Sequence, residues 1–216
     1  MPGVGQIRSL LDDLVCQGYA YTRTFLPDAV VADLRAEQLQ LLDQNQIHPA
    51  GIGRGSQHQL NSAIRGDVIS WLDPSRLSTA QQVYWDALNE LRIALNRDLF
   101  LGLHTYECHY ACYPVGGRYA RHRDIFVGSQ SQESRASRVI STVFYLNSCD
   151  WQPSDGGTLR LYNIPGTSCI SPNAESYRDV TPQGGVFVLF QSHAVEHEVL
   201  PSNRSRYSLT GWFRTA

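Results

Sequence analysis

Apolar residues recur at helical spacing in the first half of the chain and at strand spacing in the second. Ile7, Leu10, Leu11 and Leu14 share one face of a helix over residues 7–16, which Gly18 ends. Residues 19–25 read as a strand. Pro27-Asp28 opens a second helix, with Val31, Leu34, Leu41 and Leu42 on one side. Residues 46–61 are rich in Gly, Gln and His without any period and read as a loop. A short strand follows over 64–72. Ser78-Thr-Ala-Gln81 has the form of a capping box. It starts a long helix with Tyr84, Leu88, Leu91, Leu95 and Leu99 along one stripe, closed by Gly102.

From His104 the period changes to two. Alternating runs cover 104–113, 119–123, 139–146, 158–162, 177–180, 186–190, 196–200 and 207–213. Pro114-Val-Gly-Gly117, Asp155-Gly-Gly157 and Pro182-Gln-Gly-Gly185 punctuate them. Helices followed by about eight short strands predict an α+β fold whose β part is a jelly roll or barrel. The 216 residues suffice for one domain. Residues 1–103 then form a mainly helical support and 104–216 the β core.

Composition narrows the function classes. A net charge of −2 and a pI near 6.4 give no overall basic footprint for nucleic acid. No stretch approaches a membrane span, and Met1-Pro2-Gly3 lacks a signal peptide's apolar core. The five cysteines (Cys16, Cys108, Cys112, Cys149, Cys169) are odd in number and scattered, which reads as free thiols in a reducing cytoplasm. Arg65-Gly66-Asp67 reads as a buried or substrate-facing salt bridge rather than an adhesion motif.

The candidate chemistry begins at His122 and Asp124. Alternate residues of a strand share a face, so this imidazole and carboxylate can hold neighbouring sites on one metal ion. A third ligand, His193 or His197, would complete a two-His, one-carboxylate face of the kind that leaves positions open on non-haem Fe(II). Zinc accepts the same donors but cannot activate dioxygen. Arg206, nine residues beyond His197, lies on the following strand, where it can grip a carboxylate bidentately at a distance from the metal.

Several ordered segments resemble one family: Ile64-Arg-Gly-Asp-Val-Ile-Ser-Trp71, Ala111-Cys-Tyr-Pro114, Gly117-Arg-Tyr-Ala-Arg-His-Arg-Asp124, Tyr145-Leu-Asn147, Gly156-Gly-Thr-Leu-Arg-Leu161, His197-Glu-Val199 and Arg206-Tyr-Ser-Leu-Thr-Gly-Trp212. They are similar to the 2-oxoglutarate/Fe(II)-dependent prolyl 4-hydroxylases, in particular the hypoxia-inducible-factor prolyl hydroxylases and their bacterial relatives. The resemblance implies a double-stranded β-helix with the N-terminal helices packed on one sheet. It implies Fe(II), 2-oxoglutarate and dioxygen as cofactor and co-substrates, with ascorbate as a stimulant. It makes His122, Asp124 and His197 the iron ligands and selects His197 over His193. Arg206 and Tyr145 would hold the distal carboxylate of 2-oxoglutarate, with Tyr113, Thr210 and Trp212 shaping that pocket. Tyr119, Arg121, Arg138, Asp67, Trp212 and the loop over 125–137 would meet a peptide. In this reading the loop is a lid, and Arg138 could pair with Asp67 to hold it closed. The implied reaction is C4 hydroxylation of a prolyl residue in a cytoplasmic protein, elongation factor Tu if the chain is bacterial, with oxygen sensing as an associated role. The alternatives are another residue or a small molecule as substrate, or a non-catalytic sensor on the same fold.

Overall fold

A computed structural model describes residues 2–51, 64–124, 138–163 and 176–216. Three helices, α1 (Val4–Gln17), α2 (Asp28–Asp43) and α3 (Thr79–Leu99), accompany eleven strands among these residues. The strands are β1 (Tyr19–Thr22), β2 (His48–Pro49), β3 (Val68–Trp71), β4 (Thr105–Tyr113), β5 (Tyr119–His122), β6 (Arg138–Tyr145), β7 (Leu159–Tyr162), β8 (Tyr177–Val180), β9 (Phe187–Gln191), β10 (His197–Val199) and β11 (Arg206–Arg214). β2 lies inside the stretch read as loop. Gly18 ends α1 in the left-handed region, its N–H reaching Leu14. Ser78 and Gln81 form the capping box of α3. The helix ends two residues earlier than expected: Phe100, at φ 55°, is its left-handed cap rather than Gly102.

The strands form two sheets. The larger has the order β1-β9-β6-β11-β4-β3-β2 and the smaller β5-β10-β7-β8. All described pairings are antiparallel, as a jelly roll requires. Strand alternation divides the large sheet into two faces. Cys108, Tyr110, Ile140, Phe144, Phe187, Leu189, Leu209 and Phe213 pack with Leu10, Leu14, Leu34, Tyr84, Leu88, Leu91 and Leu95 of the helices. Phe25 stacks on Phe187 at 3.9 Å within this cluster. Each such buried ring contributes about 1.5–3 kcal/mol. The intervening residues Tyr113, Val143, Tyr145, Val188 and Phe190 face Leu159, Leu161 and Val199 of the small sheet. The helices thus seal one face and leave the other for a site between the sheets.

Cys108, Cys112 and Cys149 are free, but Cys16 is disulfide-bonded. The expectation of a wholly free-thiol chain therefore fails at Cys16. No described helix is long and apolar enough to cross a membrane.

Candidate active site

β5 and β10 are neighbours, and their register sets His122 directly opposite His197. Opposed residues of an antiparallel pair project from the same face, and the two imidazoles lie 4.2 Å apart between centroids. Asp124 follows the end of β5, where its N–H donates to the Ser192 carbonyl at 3.1 Å. One donor atom from each of His122, Asp124 and His197 lies within 4.8 Å of the others. The Nε2 atoms face the carboxylate, at 3.5 Å for His122 and 3.7 Å for His197. His193 is exposed on the preceding turn, whereas His197 is buried.

The groups around these three fix their chemical state. His122 Nδ1 is 2.7 Å from the Ala120 carbonyl and His197 Nδ1 3.4 Å from the Val195 carbonyl. A carbonyl only accepts, so Nδ1 is the protonated nitrogen and Nε2 keeps its lone pair for a metal. Burial pulls the His197 pKa down to about 4 against the pull of Asp124. Burial also works to raise the Asp124 carboxyl, but His197, His122 and the Trp212 N–H outweigh it and hold the group well below the carboxylate range. Ser141 Oγ and Trp212 Nε1 both donate to Asp124 Oδ2, at 2.7 and 2.9 Å. Ser141 also bonds Ser192 at 2.8 Å. Two imidazoles with Nε2 turned inward and an oriented carboxylate fit the facial donor set of a non-haem Fe(II) centre.

The second half of the site lies on the floor. Arg206, Ser208, Thr210 and Trp212 alternate along the inward face of β11. Arg206 sits opposite Tyr113 on β4, and Ser208 opposite Tyr145 on β6. Arg206 is 2 % exposed. Its guanidinium lies 5.1 Å from the centre of the Tyr113 ring and 4.9 Å from that of Tyr145, and donates to the Tyr145 hydroxyl at 3.3 Å. Its Nε has no partner, and no carboxylate pairs with Arg206 among the described residues. Gly157, at φ 68°, passes so close that a Cβ there would sit 3.1 Å from Arg206 Cδ. Burial raises the Tyr145 hydroxyl above its ordinary pKa, so it keeps its proton. Having accepted from Arg206, that hydroxyl has the proton left to donate. A buried cation with a spare N–H beside a spare O–H fits one carboxylate of a ligand. Arg206, Tyr113, Thr210, Trp212 and the three candidate ligands line one cavity, about 560 Å³ of empty space with its mouth included.

Comparison with known proteins agrees with this geometry. Residues 108–214 match the family model of the 2OG-Fe(II) oxygenase superfamily. A prolyl-4-hydroxylase from Pseudomonas putida superposes with a TM-score of 0.80 at 40 % identity, over 97 % of this chain and 99 % of that one. The chain belongs to the 2-oxoglutarate/Fe(II)-dependent prolyl hydroxylases. Its cofactor is Fe(II), and its co-substrates are 2-oxoglutarate and dioxygen. Prolyl hydroxylase EGLN3 of Mus musculus is 29 % identical over 210 residues, 91 % of this chain and 78 % of that protein. A Trichoplax adhaerens prolyl hydroxylase, solved with a peptide fragment of the hypoxia-inducible-factor oxygen degradation domain, superposes with a TM-score of 0.77 at 25 % identity, over 96 % of this chain and 88 % of that one.

The hydroxylase places the remaining expected residues unevenly. Tyr119 and Asp67 line the cavity. Tyr119 stacks on His122 at 3.7 Å. This pairing depends on a β-bulge: from His197 to Val199 the partner on β5 moves from His122 to Tyr119, one residue too many for regular alternation. The same bulge turns Arg121 away from the cavity, onto the Tyr162 ring and into an ion pair with Glu196. The expected Arg138–Asp67 pair does not form. Asp67 is held bidentately by Arg65, at 2.6 and 2.9 Å. Arg138 pairs with Glu107 at 2.8 Å and covers the Trp212 ring at 3.4 Å. Tyr145 is not among the residues that line the cavity and joins it through its hydroxyl, which accepts from Arg206. The expected lid over 125–137 lies outside the described residues. Ser141 and Ser192 were missed. Ser141 had a signal: it is polar within the apolar run Val139-Ile140 to Val143-Phe144, on the alternation of Tyr145.

Proposed function

We propose that this hydroxylase adds oxygen to C4 of a prolyl residue in a protein, and that its substrate in a bacterial cell is elongation factor Tu. In this reading residues 1–216 act as one oxygenase unit in the cytoplasm. His122, Asp124 and His197 hold Fe(II). Arg206 and Tyr145 take the distal carboxylate of 2-oxoglutarate, in a pocket shaped by Tyr113, Thr210 and Trp212. Held by His122, Asp124 and His197, Fe(II) would supply the activation of dioxygen, with one oxygen atom going to the substrate carbon and the other into the succinate left when 2-oxoglutarate loses carbon dioxide. The protein's share is positional. Ser141 and Trp212 fix the Asp124 carboxylate, the Nδ1 contacts aim both imidazoles, and burial keeps water from the reacting centre. Tyr119, Trp212 and the Arg65–Asp67 pair form the wall that a proline ring would meet.

The observation that carries this reading is Arg206, a buried cation with an orphaned Nε beside a His/Asp/His cluster. A binding module that holds only a metal has no use for it. The likeness to a Pseudomonas putida prolyl-4-hydroxylase supports C4 of a prolyl residue as the position oxidised. The test is mass spectrometry of purified elongation factor Tu after incubation with this chain, Fe(II), 2-oxoglutarate and air, with succinate assayed in parallel. The expected result is one added oxygen on one proline, dependent on 2-oxoglutarate. Succinate formed with a cell lysate, but no oxygen on elongation factor Tu, overturns the substrate alone. No succinate with any protein overturns the reaction.

A further inference from the structure

His109 is a buried polar residue on the cavity wall that neither the iron nor the co-substrate accounts for. It is 1 % exposed and lines the cavity. On β4 it lies opposite Thr210 of β11 on one side and Trp71 of β3 on the other. Its ring is wedged edge-on to Trp71 at 4.8 Å and tilted against Trp212 at 5.5 Å. Trp71 itself is 52 % exposed, so His109 sits one strand in from the accessible edge of this face. Its Nδ1 is 3.1 Å from the Tyr110 carbonyl, so Nδ1 carries the proton. That leaves Nε2 as an acceptor, buried and without a hydrogen-bond partner among the described residues. Burial, aided by the charge of Arg65, pulls the His109 pKa down to about 4, so the ring stays neutral near pH 7.

An orphaned acceptor wants a donor, and few candidates exist. The Arg65 guanidinium is engaged with Asp67. 2-Oxoglutarate at neutral pH presents only oxygen acceptors. A prolyl residue has no backbone N–H of its own. Its neighbours in the peptide do, and an extended peptide that brings a proline to the iron carries their N–H groups past the cavity wall. We infer that His109 Nε2 accepts a hydrogen bond from a substrate backbone N–H flanking the target proline, making His109 a substrate-binding residue that sets the register of the peptide. This rests on the prolyl-hydroxylase reading above and adds the group that recognises the chain beside the ring.

The test uses a synthetic peptide carrying the proline that mass spectrometry finds modified in the protein substrate. Two further peptides replace, one at a time, the flanking backbone N–H groups by an ester oxygen. His109→Phe should raise KM for the natural peptide about tenfold, the upper range for one neutral hydrogen bond, and leave KM for 2-oxoglutarate unchanged. His109→Gln, whose amide oxygen can accept, should recover most of the loss. One of the two esters should raise KM of the unaltered enzyme by a similar factor and have no further effect on His109→Phe. The ester comparison on the unaltered enzyme needs no variant, so it stands even where His109→Phe fails to fold. Equal KM for all three peptides on the unaltered enzyme overturns the inference, as does an ester penalty that persists in His109→Phe. Failure of the unaltered enzyme to oxidise any protein overturns the parent reading and this one together, and shows before any variant is compared.

Discussion

Replacing Arg206 with Met should have opposite effects on the ligand-free and the ligand-bound protein. Arg206 is 2 % exposed and its Nε has no partner, so without 2-oxoglutarate its charge is under-compensated. Exchanging buried ionic side chains for apolar ones of similar volume is neutral or stabilising by about 1–4 kcal/mol. Here the two tyrosine rings, at 5.1 and 4.9 Å, each return about 0.5–2 kcal/mol to the arginine. The expected gain is therefore at the low end, about 0–2 kcal/mol. At about 2–4 °C per kcal/mol for a chain of this size, the ligand-free variant should melt no lower than the unaltered protein and up to roughly 8 °C higher. The co-substrate reverses the order. Losing the charged partner of a buried carboxylate costs about 2–5 kcal/mol, which is roughly 30- to 5000-fold in affinity at 1.36 kcal/mol per decade. At a hundred times the Kd of the unaltered protein, 2-oxoglutarate stabilises that protein by about 2.7 kcal/mol and the variant by less than about 1 kcal/mol. Thermal melts with Fe(II) under argon, with and without 2-oxoglutarate, measure both quantities. A ligand-free variant that melts lower, or one that keeps the full 2-oxoglutarate shift, refutes the anchor.

Three further outcomes follow from neighbouring groups. His197→Ala should abolish 2-oxoglutarate turnover while His193→Ala retains it, because of these two histidines it is His197 that turns Nε2 toward Asp124; the reverse result in a succinate assay would reassign the ligand. Trp212→Phe removes one of two donors to Asp124 Oδ2 and should weaken metal binding about 10- to 100-fold, read by anaerobic Co(II) titration; an unchanged affinity denies Trp212 that role. For His109, held near pKa 4 in the folded chain against about 6.5 unfolded, the unfolded chain takes up a proton first as pH falls. His109 therefore contributes stability above pH 6.5 that is lost between 6.5 and 4, about 3 kcal/mol in all. Urea melts of His109→Phe should gain on the unaltered protein by that order over this range, and parallel pH curves would exclude it.

The residues that sequence reading placed well are those whose partners lie at fixed register. Period two along β11 puts Arg206, Thr210 and Trp212 on one face whatever the tertiary packing. Gly18 and Ser78-Gln81 specify a helix end and a helix start through backbone chemistry alone. Arg121 is off the cavity wall although strict alternation would give it the face of Tyr119, and the bulge between Tyr119 and His122 breaks that rule. A bulge is settled by pairing with β10, far along the chain, and leaves no local mark. The Arg138–Asp67 pair failed for a related reason. Both residues reach the cavity, but Arg65 lies two positions from Asp67, and Glu107 lies two strands over from Arg138 with Trp212 of β11 between them. The nearer carboxylates and guanidiniums won.

The two faces of the large sheet divide stability from chemistry. Phe144, Phe187, Leu209 and Phe213 face the helices in an apolar cluster. Their alternating neighbours Arg206, Ser208, His109 and Ser141, all buried, face the small sheet. Polar groups in that position are costly unless partnered, and Arg206 Nε, Ser208 Oγ and His109 Nε2 have no hydrogen-bond partner among the described residues. These three atoms lie on the face where a dicarboxylate and a peptide would enter. The helix-side core makes their lack of partners tolerable, since it holds β4, β6, β9 and β11 in register without help from the site. Substitutions on the helix side should therefore lower stability without changing substrate preference. Those on the inward side should change binding while leaving the fold intact, and Arg206→Met, which is expected to do both in opposite directions, is the sharpest case.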